Sequence, residues 1–169
     1  MESSIRFYSL PFSQLRTYVA ALLFIVGNIA LPQLFHLAPQ GGVTWLPIYF
    51  FTLVGAYKYG WKVGLLTAVA SPLLNSWLFG MPAQAVLPAI VVKSVLLAAG
   101  AGWVAGRYRS VSPLLLLAVV LFYQLAGACS EWAWTGSLHA AFQDFRVGIP
   151  GMLLQILGGY LLIKHVIRK

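Results

Sequence analysis

Long apolar stretches alternate along this chain with short breaks formed by proline, glycine and charged residues. The breaks divide it into six apolar segments, at approximately 17–36, 42–57, 61–79, 85–106, 112–132 and 147–166. An α-helix rises about 1.5 Å per residue, so about 20 apolar residues cross a hydrocarbon core about 30 Å thick. The pattern therefore predicts an all-α integral membrane protein, with one bundle of six transmembrane helices over 17–169. Residues 1–16 precede it as either an interfacial segment or a disordered tail.

The composition agrees with lipid as the solvent of this chain. Hydrophobic residues make up 60% and charged residues 8% of it, whereas roughly a quarter of an ordinary globular domain is charged. A net charge of +8 would suggest nucleic acid as the partner of a soluble protein. Here the basic residues lie in short connections between apolar segments, which indicates membrane topology, and we expect membrane lipid and no nucleic acid as partners.

The basic residues are distributed unevenly between the two sets of helix ends. One set holds nine of them: Arg6, Arg16, Lys58, Lys62, Arg107, Arg109, Lys164, Arg168 and Lys169. The opposite set holds only Arg146, and Lys93 lies inside the fourth segment. Because short connections rich in lysine and arginine stay on the cytoplasmic side, we expect both termini to be cytoplasmic. The breaks at 37–41, 80–84 and 133–146 are then outside.

Strongly polar side chains also occur inside the apolar segments, at or outside the expected midplane of the membrane. These candidate ligand-binding residues, with one neighbouring tryptophan, are Asn28, Asn75, Lys93, Gln124, Glu131, Trp132 and Gln155. Most of the prolines fall in the same outer half, where backbone groups freed by proline need a protein or cavity partner. The pattern predicts a cavity that opens to the outside.

Lys93 is the sharpest single signal in the sequence. An ionisable group within a membrane helix costs about 2.5–3.5 kcal/mol on insertion scales, so it usually faces a bundle interior and has a function there. Three interpretations are open: contact with an anionic ligand, a structural pair with Glu131, or snorkelling to the outer surface. Glu131 in turn is either an exposed loop acid or part of a lid over the cavity.

Known catalytic and metal-binding patterns are absent from the sequence. His36, His139 and His165 lie far apart with no metal-ligand spacing, and Cys129 is the only cysteine. No Walker A sequence, H-E-x-x-H or G-x-S-x-G occurs. We therefore expect no enzyme, no metal and no cofactor. A lipid-modifying enzyme that uses Glu131 and His139 has little support.

Small residues recur four apart in the third and fourth segments. They are Gly60, Gly64 and Ala68 in one stripe and Ala98, Gly102 and Gly106 in the other. Such stripes let helices approach closely. They either pack the bundle internally or present a flat docking surface to another membrane protein.

Three blocks of sequence resemble the substrate-binding S components of energy-coupling factor (ECF) vitamin transporters. The blocks are LPQLFHLAPQGG at 31–42, LPIYFFTLVGAYKYGWKVG at 46–64 and SPLLNSWLFGMP at 71–82. The resemblance implies a subunit of the bacterial cytoplasmic membrane that binds a vitamin-like molecule. It also implies docking on a transmembrane coupling protein driven by two cytoplasmic ATPases, which agrees with the missing Walker A sequence.

The resemblance further implies a docking face on the first helix, where family members carry A-x-x-x-A. Here Ala20 and Ala21 are followed four residues later by Phe24 and Ile25, which departs from that pattern. An alternative function is a small structural scaffold of cell-envelope assembly, similar in size and helix count to the rod-shape protein MreD. The small-residue stripes would then be the functional surface.

Overall fold

The computed structural model describes residues 7–166 and contains no strand among them. In chain order its helices are α1 Leu15–Phe35, α2 Gly41–Trp45, α3 Phe50–Tyr59, α4 Trp61–Phe79, α5 Leu87–Tyr108, α6 Pro113–Thr135, α7 Leu138–Ala141, α8 Gln143–Val147, α9 Ile149–Leu153 and α10 Gly159–Leu161. A 3-10 turn, Pro47–Tyr49, precedes α3, and π-helical turns, Leu154–Gly158 and Leu162–Val166, follow α9 and α10. The described chain is all-α, as the sequence predicts.

Within residues 7–166, three helices are both long enough and apolar enough to cross a membrane. They are α1, α5 and α6, of 21, 22 and 23 residues. Large hydrophobic side chains remain exposed along them, including Leu22, Leu23, Trp103, Leu114 and Leu125. In water such a surface would be unfavourable, so its exposure indicates lipid as the surrounding solvent.

The second predicted segment, 42–57, differs from the prediction of one continuous helix. It consists of α2, the 3-10 turn and α3, with Leu46 in the left-handed region at φ +46°. Pro47 explains the break, because proline disfavours α-helical backbone at the preceding residue and lacks the N–H for the ladder. By contrast, α4 begins and ends where the sequence predicts, at Trp61 and Phe79.

One end of the bundle, here called the basic end, is formed by residues 7–14, the connection between α3 and α4, and the connection between α5 and α6. The backbone N–H of Tyr8 donates to the carbonyl of Lys58 at 2.9 Å, and the Tyr57 hydroxyl donates to the carbonyl of Ser110 at 2.8 Å. Residues 7–14 are thus packed against the bundle rather than forming a helix. The predictions for residues 1–6 and 167–169, including Arg6, Arg168 and Lys169, lie outside the described residues.

Apart from Gly106, which is exposed, the residues of the small-residue stripes lie inside the bundle. A Cβ added at Gly64 would collide with Ala56 of α3 and come close to Ala98 of α5, and one at Gly102 would collide with Trp61. Close approach of α3, α4 and α5 therefore requires these glycines. The stripes serve internal packing, one of the two interpretations of the sequence.

The residues predicted to dock a partner are for the most part inaccessible. Ala21, Gly60, Gly64 and Ala68 are buried, and only Ala20 is partly exposed. Their small side chains leave room for neighbouring helices, so the residues that made the stripes conspicuous in the sequence are covered by the protein itself. Four of the five are therefore buried in this structure.

A buried polar network joins α1, α3 and α4. Pro32 lies inside α1 and has no N–H to donate to the carbonyl of Asn28, four residues earlier. That carbonyl instead accepts a hydrogen bond from Asn75 Nδ2 of α4 at 2.9 Å. The Asn28 amide donates to Thr52 Oγ1 at 3.0 Å and accepts from the Phe51 N–H at 3.0 Å. A side chain of one helix thus satisfies the backbone that proline leaves open in another.

This network generates a test. Asn75→Leu should lower the free energy of unfolding by about 1–3 kcal/mol, because the buried Asn28 carbonyl loses its donor. With Pro32→Ala in the background, the new N–H at residue 32 can donate to that carbonyl, so Asn75→Leu should cost less. Unfolding in mixed micelles measures both differences. An equal loss in the two backgrounds would show that Asn75 does not compensate for Pro32.

Candidate ligand-binding cavity

A cavity of about 740 Å³ lies at the end of the bundle opposite the basic end. Residues 32–49, 81–93 and the region from Glu131 to Asp144 contribute its wall. Leu37, Met81 and Val86 line it and remain largely exposed, so they mark its opening to the surface. The volume falls within the range of about 300–1,000 Å³ that is usual for small-molecule sites.

The irregular backbone after α1 forms one side of this cavity. Gly41, at the start of α2, lies against the backbone carbonyl of Phe35, where a Cβ would collide. The ring of Trp45 stacks on that of Phe35, with ring centroids 5.4 Å apart. The chain therefore folds back at the end of α1, and the short α2 runs beside the cavity instead of filling it.

Most of the cavity wall is apolar. Its ionisable and amide side chains are His36, Gln40, Lys93, Glu131, Gln143 and Asp144, together with the phenol of Tyr49. Such a wall combines a large apolar area with a few polar groups that orient a ligand. The prediction of a cavity near Lys93 and Glu131 agrees with this geometry.

Lys93 lies between two carboxylates in the cavity wall. Its Nζ is 2.8 Å from Glu131 Oε2 on α6 and 3.0 Å from Asp144 Oδ2 on α8. Only 6% of the lysine side chain is exposed. The stem passes over Gly127 of α6, where an added Cβ would collide with the lysine Cγ. Lys93, Glu131 and Asp144 are called the ion cluster below.

The two carboxylates contact the ammonium in different ways. Asp144 Oδ2 accepts a hydrogen bond from Lys93 Nζ. Glu131 Oε2 is close enough for an ion pair, but it has no well-directed hydrogen bond from any described residue. Glu131 therefore has acceptor capacity left beside the cavity.

The other residues predicted to bind a ligand lie outside the cavity wall. Asn28 and Asn75 belong to the network between α1, α3 and α4. In a second network the Tyr123 hydroxyl donates to Gln155 Oε1 and accepts from Gln124 Nε2, both at 3.0 Å. Trp132 is about half exposed beside Glu131.

The sequence pointed to Lys93 and left a pair with Glu131 as one of three interpretations, but it did not assign Asp144 to the cluster. Asp144 lies in the predicted outer loop, 51 residues after Lys93, and nothing in its immediate sequence marks it as buried. One signal was present: the chain has only three acidic residues. A buried lysine needs an anionic partner, so each of those few acids was a candidate.

Comparison with protein-family models, curated protein sequences and solved structures finds no match to the chain. The cavity and the ion cluster are therefore the features of the molecule that bear on its function.

The burial of the ion cluster generates a stability test. Lys93→Met should lower the free energy of unfolding by up to about 3–5 kcal/mol, the range for a fully buried pair, because it leaves two largely buried carboxylates without a cation. Adding Glu131→Gln and Asp144→Asn should recover most of that loss, since the uncompensated charges are then gone. Lys164→Met, at an exposed lysine, is the control and should change stability by no more than about 0.5 kcal/mol. A triple variant no more stable than Lys93→Met would contradict the electrostatic role of the cluster.

Proposed function

We propose that this protein captures a small organic molecule in the cavity and acts as the S component of an ECF-type importer. The observation that carries the proposal is the cavity of about 740 Å³ with a buried ion cluster in its wall. A structural scaffold has no need for such a cavity, which favours solute capture over the scaffold alternative. The blocks at 31–42, 46–64 and 71–82, which resemble S components, contribute residues to the cavity or to the helices around it.

The proposal includes a topology of six spans in the bacterial cytoplasmic membrane, with both termini cytoplasmic. The uneven distribution of basic residues supports this orientation. The basic end then faces the cytoplasm, and the cavity opens to the outside. Transport energy comes from a transmembrane coupling protein and two ATPases, which agrees with the absence of a Walker A sequence in this chain.

Cysteine accessibility tests this topology. In a Cys129→Ala background, cysteines at Ala38 and Gln84 should react with a membrane-impermeant thiol reagent in intact cells. Both positions are exposed at the cavity end. A cysteine at Ser110, which is exposed at the basic end, should react only after the cells are opened. Labelling of Ser110 alone in intact cells would reverse the orientation.

Solute capture is tested by mass spectrometry of small molecules that copurify with the isolated protein. Val43 lines the cavity, so Val43→Trp should fill part of it and remove the bound species. Ala133→Trp is the matched control, because Ala133 is exposed and does not line the cavity. We expect the control to retain the species found with the unchanged protein.

The identified molecule, in labelled form, then tests the dependence on partners in proteoliposomes. We expect binding without ATP, and accumulation only when a coupling protein and its ATPases are present. Concentrative uptake by this chain alone would contradict the S-component proposal. Identical sets of small molecules with Val43→Trp and with the unchanged protein would contradict capture in this cavity.

A further inference from the structure

We propose that the cavity selects a ligand with a cationic, hydrogen-bond-donating group, such as a protonated amine, attached to an apolar body. The amine is expected to lie against the free oxygens of Glu131 and Asp144. This inference depends on the proposed function, because it names the chemical class of the captured solute.

The ion cluster contains more negative than positive charges. Lys93 contributes one positive charge, whereas Glu131 and Asp144 contribute two negative charges. The formal charge of the cluster is thus −1. The expectation of an anionic ligand assumed that the ligand supplies the countercharge for Lys93. Two protein carboxylates already supply it, so an added anion would be repelled.

The surroundings provide no further permanent cation to balance the excess negative charge. Among the described residues that line the cavity, Lys93 is the only lysine or arginine, and the other basic side chain is that of His36. Arg146 follows Asp144 closely in sequence, but its guanidinium is exposed and contacts the His139 ring at 2.8 Å. It does not line the cavity.

The balance of donors and acceptors leads to the same conclusion. A lysine ammonium has three N–H donors, whereas each carboxylate offers about four acceptor positions. Lys93 Nζ contacts only one oxygen of each carboxylate, Glu131 Oε2 and Asp144 Oδ2, so the second oxygen of each carboxylate keeps free acceptor positions. A ligand that donates hydrogen bonds would satisfy these oxygens, whereas a ligand carboxylate would add acceptors to a site that already has too many.

The rest of the cavity wall favours an apolar body for the part of the ligand that does not contact the ion cluster. Leu46, Pro47, Ile48, Val86 and Ile90 present apolar surface to it. An apolar body attached to the cation would bury area against these side chains, while the charged group faces the cluster. The solute class is thus an amphiphilic organic cation.

Probes that share one apolar body and differ in the charge of the end group test this inference on the isolated protein in nanodiscs. Tryptamine, tryptophol and indole-3-propionate have the same indole and two-carbon linker, with a cationic, neutral and anionic end group. Phenyl and naphthyl sets with the same end groups extend the comparison to other apolar bodies. Calorimetry at pH 7 should show amines binding at least about tenfold more tightly than the matching carboxylates, which is about 1.4 kcal/mol.

Two substitutions reverse the charge of the cluster without removing its lysine. The double variant Glu131→Gln, Asp144→Asn carries one net positive charge in the cluster and should favour the carboxylates. Arg107→Gln, at an exposed residue remote from the cavity, changes the total charge by one unit and should leave the amine preference intact.

The outcomes separate this inference from the proposed function. Tighter binding of the carboxylates by the unchanged protein would overturn the ligand class and leave solute capture standing. Equal binding of amines and carboxylates would likewise overturn the ligand class and leave solute capture standing. Absence of binding by every probe set would overturn the amphiphilic-cation class, and copurification would still decide solute capture independently.

Discussion

The ion pairs between Lys93 and the carboxylates of Glu131 and Asp144 are the interaction on which the cavity end of the molecule depends. They connect α5, α6 and α8, three elements that approach the cavity from different parts of the chain. Because each buried charge is costly without its partners, the cluster fixes the short helix α8 against the bundle. The same contacts leave a net negative charge in an otherwise largely apolar wall. One arrangement therefore holds α8 at the cavity wall and is also the basis of the ligand class that we propose.

The two ends of the bundle differ because different residue types set the helix spacing. Near the basic end, Gly64 and Gly102 let α3, α4 and α5 approach closely. At the cavity end, Pro47 and the left-handed Leu46 interrupt the second apolar segment, and the chain folds back beside the opening. The interrupted backbone is tolerated where protein groups or a polar cavity satisfy it. A closely packed end and an open end thus follow from where glycine and proline occur.

Much of the helical layout could be predicted from the sequence, because long apolar segments and proline breaks are local signals. A cavity near Lys93 could also be predicted, and a pair with Glu131 was one of three interpretations, since a buried charge requires a partner. The role of Asp144 could not be predicted locally, because folding brings it to Lys93 from 51 residues away. Asn28 and Asn75 were predicted as ligand contacts for a related reason: sequence alone cannot distinguish a polar side chain that faces a cavity from one that satisfies another helix's backbone. In the structure Asn75 compensates for Pro32.

The central claim is that Lys93 and Asp144 stabilise each other inside the cavity wall. A double-mutant cycle of Lys93→Met and Asp144→Asn, measured by unfolding in mixed micelles, tests it most directly. Direct pairing requires a coupling free energy of at least about 1 kcal/mol, because Lys93→Met leaves the charge of Asp144 without its cation and Asp144→Asn removes that cost. Additive effects, within about 0.5 kcal/mol, would show that the two residues do not interact and would contradict the ion cluster.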